Sequence, residues 1–245
     1  MISSSSRVAP SVKEDGLGTL ANGEAEGRTV ASSGMVRDEA WQAVALVAAG
    51  CLMGIGFLIH PDDASDPGVV GSGRWVVAHA LLLAGAVPAL LGLPAVRERA
   101  PGPIGLFGYL LTFSGLAVFI FVFALEALVV PVMWADGGAR ALLDASGPLF
   151  GGPLGVFLTL IGITTAIGLV ALGTSVLRAR ALPSWIGIAF IVAAVTPLVP
   201  PLPYALLLVG GIGVGVAFVG SGLGVWSPSR RPTVPRRTVS SVQEA

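Results

Sequence analysis

The feature that most constrains this chain is a series of charge-poor apolar runs. Each is close to the roughly 20 residues that a helix needs to cross the ~30 Å hydrocarbon core of a bilayer. Six can be counted, at roughly 41–59, 75–96, 104–134, 150–177, 184–200 and 203–226. None shows the alternation of a membrane strand over ten-residue segments, and in lipid only helices and closed barrels satisfy every backbone group. The sequence therefore predicts an all-α, polytopic membrane protein, a bundle of six transmembrane helices. The third and fourth runs are longer than a crossing needs and must tilt or protrude. The fifth is short and ends in Pro197, Pro200, Pro201 and Pro203, a tight turn into the sixth.

Composition agrees. Of 245 residues, 54% are hydrophobic and 11% charged, and the mean hydropathy is +0.86, far from the balance of a soluble domain. Fourteen basic residues offset fourteen acidic ones. No global positive excess draws the chain to nucleic acid, and the expected partner is the lipid bilayer, with a membrane-protein partner or a second copy as further options.

The runs divide the chain into three parts. Residues 1–37, rich in Ser, Gly and mixed charge, are expected to be a disordered tail. Residues 38–226 form the six-helix domain, and 227–245 a disordered basic tail with Arg230, Arg231, Arg236 and Arg237 between prolines. The first apolar run starts only at Trp41 and no small-residue cleavage pattern follows it before His60, so it reads as a retained span rather than a secretory signal.

Arginines near span ends set the orientation, because positively charged loops resist translocation. Arg28, Arg37, Arg97, Arg99, Arg178, Arg180 and the four tail arginines fall on one side, against Arg74 and Arg140 on the other. Both termini are thus expected in the cytoplasm. Trp41, Trp185 and Trp226 at one face and Trp75 and Trp134 at the other agree with it, since indoles favour the headgroup region.

Two loops share a pattern: VRERAPGPIG at Val96–Gly105 and VLRARALPSWIG at Val176–Gly187. Arginines that anchor at phosphates and a proline that starts the next helix account for both, although a duplicated two-helix unit would do so too.

Polar residues inside the runs carry the candidate chemistry. Glu126 is the only acidic residue within any span and is flanked by Val122, Phe123, Val129 and Val130. A carboxylate in hydrocarbon costs roughly 2.5–3.5 kcal/mol on the mildest scales, so it must be paired, neutralised or facing water. At 1.5 Å per residue Glu126 is about 12 Å, and His79 about 6 Å, below the outer surface, with Thr159 near the depth of Glu126. His60 closes the first span on that side. Two readings stay open: an outward-facing pocket with Glu126 and His79 as a proton-active or ligand-holding pair, His60 at its mouth and Thr159 in its wall, or a structural clasp in which protonated Glu126 bonds His79 or Thr159.

Glycines supply a second pattern. Small-xxx-small pairs occur at Gly211/Gly215, Gly220/Gly224 and Gly50/Gly54, and such pairs let helices approach closely in lipid. They point to packing inside the bundle, or alternatively to a face for a partner. Cys51, mid-span, is expected to be an inert packing thiol. Pro88, Pro94 and Pro131 are expected to kink their spans. Asp62, Asp63 and Asp66 read as a solvated turn. No nucleotide-binding loop, zinc-protease helix, nucleophile elbow or redox cysteine pair is present, so no soluble catalysis is indicated. Two histidines and one cysteine give no metal-ligand spacing, and no cofactor is expected.

With His60-Pro61 after the first span, Trp75 and His79 opening the second, Glu126-Ala127 and Pro131 closing the third, and Arg178 to Gly187 joining the fourth and fifth, the chain resembles uncharacterised multi-pass bacterial membrane proteins. The resemblance implies an inner-membrane setting and no activity. Three functions compete: small-solute or proton-coupled transport or binding through the Glu126/His79 pocket, a scaffold or partner subunit packing through the glycine-rich sixth span, and a metal- or haem-bearing membrane enzyme.

Overall fold

Prolines and a serine mark where the helices start. Ser72 caps α3 (Gly73–Arg99), its Oγ accepting from the Trp75 N–H at 3.3 Å. Pro103 and Pro153 open α4 (Pro103–Ala124) and α7 (Pro153–Ala179), where a missing N–H costs nothing. Pro183 and Pro203 precede α8 (Ser184–Ala193) and α9 (Tyr204–Trp226). Gly102, at φ +90°, makes the turn into α4 that side chains resist. These elements belong to a computed structural model that describes residues 39–62, 67–137, 140–143, 152–196 and 203–227. The described residues all fall in the unit Glu39–Ala245. The tails at 1–37 and beyond Ser227, the aspartates 63, 66 and 144, and prolines 197, 200 and 201 lie outside the described residues.

The remaining elements are α1 (Glu39–Leu58), the short α2 (Pro67–Val70), a π-helical turn Leu125–Val129, α5 (Val130–Ala135) and the short α6 (Arg140–Leu143). Every described element is helical. Five helices are long and apolar enough to cross a membrane: Glu39–Leu58, Gly73–Arg99, Pro103–Ala135, Pro153–Ala179 and Tyr204–Trp226. The chain is a multi-pass membrane protein by this measure. The fifth predicted span is the exception, because α8 ends after ten residues, about 15 Å of rise. The Ala194 and Val195 N–H groups reach back only three residues, to Ile191 and Val192. Pro197 lies just ahead, and a proline pushes its predecessor out of helical geometry.

Neighbouring helices run antiparallel, as their contacts show. Gly85 meets Met53 and Gly92 meets Leu46, joining α3 to α1. Gly50 meets Gly215 and Gly222 meets Ala43, joining α1 to α9. Gly213 meets Ala193 and Gly210 meets Thr196, joining α9 to the α8 region, and Gly173 meets Gly187, joining α7 to α8. α4 packs along α7. There Gly105, Gly108, Thr112 and Gly115 face Ser175, Leu172, Gly168 and Thr165 in reverse order. The helices α1, α3, α4, α7, α8 and α9 thus follow one another around a ring in which small residues, not a hydrophobic drive, set the close approach. Outward faces stay aliphatic, with Val44, Ile55, Leu91, Ile163, Ile212 and Val216 exposed.

At one end Arg99 gathers the bundle. Its Nη1 donates to Ala95 O at 3.1 Å, its Nη2 donates to Val225 O at 3.5 Å, and it pairs with Glu39 at 3.7 Å. At the other end Arg74 caps α1, donating from Nε to Ile59 O at 2.7 Å and from Nη2 to His60 O at 3.3 Å, while the Tyr204 hydroxyl donates to His60 O at 2.8 Å. Carbonyls at a helix C-terminus lack intrahelical donors, and a guanidinium suits their partial negative charge.

Pro88 and Pro94 lie within α3 without ending it. Pro131 acts differently, because the π turn immediately precedes it. Val130 N–H bonds Leu125 O rather than Glu126 O. The next residue in that wider register is Pro131, which has no N–H, so the Glu126 carbonyl is left over. The Trp75 indole takes it, donating from Nε1 at 2.9 Å. Trp75, expected at the headgroup level, is accordingly buried at 5% exposure. Cys51, expected to pack inside, is exposed.

Candidate functional site

The ring surrounds a partly open cavity of about 240 Å³ to which each of its six helices contributes. Its walls are mostly apolar: Met53 and Phe57 from α1, Leu82 from α3, Phe119 and Phe123 from α4, Leu169 from α7, Ala193 from α8, and Val214 and Phe218 from α9. His60, His79, Glu126, Thr112, Thr165 and Thr196 are its polar lining. Three of the four sequence-predicted pocket residues, His60, His79 and Glu126, are therefore brought to one space. Thr159 is not. It is exposed, and its hydroxyl donates to Gly155 O at 2.8 Å on its own helix. Its rotation about α7 turns it away from the cavity, which Thr165 reaches instead.

Neither hydrogen bond of the clasp reading is present among the described residues. His79 Nδ1 donates to Trp75 O at 2.9 Å, one turn back on α3. His60 Nδ1 donates to Pro61 O at 2.8 Å. A carbonyl oxygen only accepts, so in each neutral imidazole the proton is on Nδ1 and Nε2 keeps its lone pair. The rings pack as a cluster with Trp75. Centroids lie 4.4 Å apart for Trp75 and His79, 4.9 Å for His60 and His79, and 5.6 Å for His60 and Trp75. Trp75 thereby does two jobs, stacking on His79 and bonding the main chain of Glu126, and so ties the imidazole and carboxyl positions together.

Hydroxyls that sequence reasoning missed complete the site. Thr165 donates to Ile161 O at 2.7 Å. The Thr112 and Thr196 hydroxyls are buried without a partner. The available signal was the spacing of Gly105, Gly108, Thr112 and Gly115, a stripe of small residues on one face of α4.

Outside the spans, burial holds the His60 imidazole below its ordinary 6.5, and the nearby Arg74 charge adds to this. The unfolded chain then takes up the proton first as pH falls, so stability drops as pH is lowered through 6.5. The thermal midpoint of the purified chain is expected to fall with acidification over that range, and to fall less in His60→Gln. Superimposable profiles for the two proteins would refute this assignment.

The metal and haem readings gain no support from the geometry. Among the described residues no group of three or more His, Cys, Asp or Glu is placed to hold a metal ion. The His60 and His79 rings touch edge to face, which leaves no gap between them for a macrocycle.

The glycines of the sixth apolar segment are used within the chain. Gly211 packs on Phe57, Gly215 on Gly50 and Gly54, Gly220 on Trp185, and Gly224 on Leu182. No protein-family profile, curated protein or solved structure matches the chain.

Proposed function

We propose that this chain binds, and carries across a membrane, a small solute seated in the cavity between its helices, with Glu126 and His79 as the polar pair that engages it and exchanges protons. The observation that carries the reading is the convergence of Glu126, His79 and His60 on one cavity, with no hydrogen bond spending the carboxyl on a neighbour among the described residues. Ionisable groups inside a membrane are costly to keep, and a cavity is the setting in which they act. The partner-subunit alternative must use other surface, because the glycines available for close contact are occupied internally.

The same proposal includes six crossings of a bacterial cytoplasmic membrane with both termini inside. The antiparallel order of the six ring helices supports an even number, and the arginine-rich loops support that direction.

The test uses thiol accessibility in intact cells, in a Cys51→Ala background. Glu126→Cys is expected to react with a small membrane-impermeant maleimide, whereas Leu128→Cys, on the outward apolar face, is not. A cysteine placed in either tail should stay unlabelled. Equal inertness at 126 and 128 would remove the water-accessible pocket, and labelled tails would reverse the topology.

A further inference from the structure

We infer that the cavity's ligand is a small organic amine bound as its ammonium ion, with its apolar part against the phenylalanines and its N–H groups on Glu126 and the two imidazoles. The inference rests on the cavity being a binding site, as proposed above, and adds the chemical class of what enters.

Hydrogen-bond capacity carries the argument. His60 and His79 each give their Nδ1 proton to a main-chain carbonyl, so each has only an accepting Nε2 left. Thr165 gives its proton to Ile161 O. An ionised Glu126 can only accept. The unspent donors are the two hydroxyls of Thr112 and Thr196, and no lysine or arginine lines the space. Arg74, whose charge lies near His60, is turned to the carbonyls of Ile59 and His60. With Glu126 ionised, acceptors predominate, and none of the residues lining the space carries a countercharge for its carboxylate. A buried charge needs one. The complementary ligand supplies both what is missing, a positive charge and several N–H donors.

Size and surface narrow the class. At about 240 Å³ the chamber falls below the ~300–1,000 Å³ of clefts for drug-sized molecules. Phe57, Phe119, Phe123 and Phe218 offer ring faces that suit a hydrocarbon group and attract a cation. An anion would meet the carboxylate and two lone pairs, with only two hydroxyls in its favour. A metal ion needs ligands at about 2.0–2.2 Å, and no group of three is gathered so closely among the described residues, whereas ammonium hydrogen bonds of about 2.9 Å span wider gaps.

Four molecules of nearly one shape test this: benzylamine, benzyl alcohol, toluene and benzoate, titrated calorimetrically into the full chain in lipid nanodiscs at neutral pH. Benzylamine is expected to bind about tenfold or more tightly than benzyl alcohol, toluene to bind weakly, and benzoate not at all. In Glu126→Gln the benzylamine affinity should fall to that of benzyl alcohol with toluene unchanged, and retained toluene binding certifies the fold. Equal affinities for all four, or a preference for benzoate, would overturn the amine assignment while leaving the cavity a binding site. No binding of any of the four to a folded chain would overturn both. The ranking on the unmodified chain decides the matter even where the variant does not fold.

Discussion

Gly50→Leu should part α1 from α9 and lower the stability of the detergent-purified chain by roughly 1–3 kcal/mol, the usual cost of overpacking. The reason is what surrounds the glycine. A Cβ there would come within 2.6 Å of Gly215 O and of Val219 N, and those are main-chain atoms of a helix that cannot rotate aside. Gly54→Ala is the matched control, because a methyl group at that position meets Gly215 Cα at an ordinary 3.4 Å. Thermal midpoints read by loss of monodispersity should separate the two variants clearly. If Gly50→Leu melts with the parent, the α1–α9 crossing is not as close as described.

Trp75→Phe is the second large effect, expected at about 1–3 kcal/mol, the cost of leaving a buried acceptor unsatisfied. Phenylalanine keeps a ring against His79 but cannot donate to the Glu126 carbonyl. The cause can be isolated through Pro131. Pro131→Ala restores a main-chain N–H in the register that would serve that carbonyl, so the double variant should recover part of the loss. Additive losses in the cycle would show that the indole acts through bulk alone. The same variant should loosen Glu126 relative to His79, and a weaker apparent affinity for benzylamine should accompany the lower midpoint.

Much of this architecture is legible in the residues. Apolar runs at roughly 41–59, 75–96, 104–134 and 203–226 became helices at Glu39–Leu58, Gly73–Arg99, Pro103–Ala135 and Tyr204–Trp226, because length and hydropathy alone decide what can sit in lipid. In the run at 184–200 the described α-helix stops at Ala193. Hydropathy counts Pro197 by polarity and ignores that a proline disfavours helical geometry in the residue before it. Within the site, His60, His79 and Glu126 were visible because a charged or titratable group stands out in an apolar run. Thr159 was singled out over Thr165 by its depth, which does not tell what a helical residue faces. Which of them faces inward depends on the rotation of α7, and that is set by contacts with Gly115 and Thr112 on α4 that no single run encodes. Trp75 shows the same limit. An indole at a span end suits the headgroup region, yet here a carbonyl orphaned fifty-one positions away draws it inside.

Arg99 holds the beginning of α1 and the close of α9 on a single guanidinium, through Glu39 and Val225. Because that guanidinium belongs to α3, it closes the seam between α1 and α9 from a third helix, and splaying either of them from the bundle at this end breaks a contact of the same side chain.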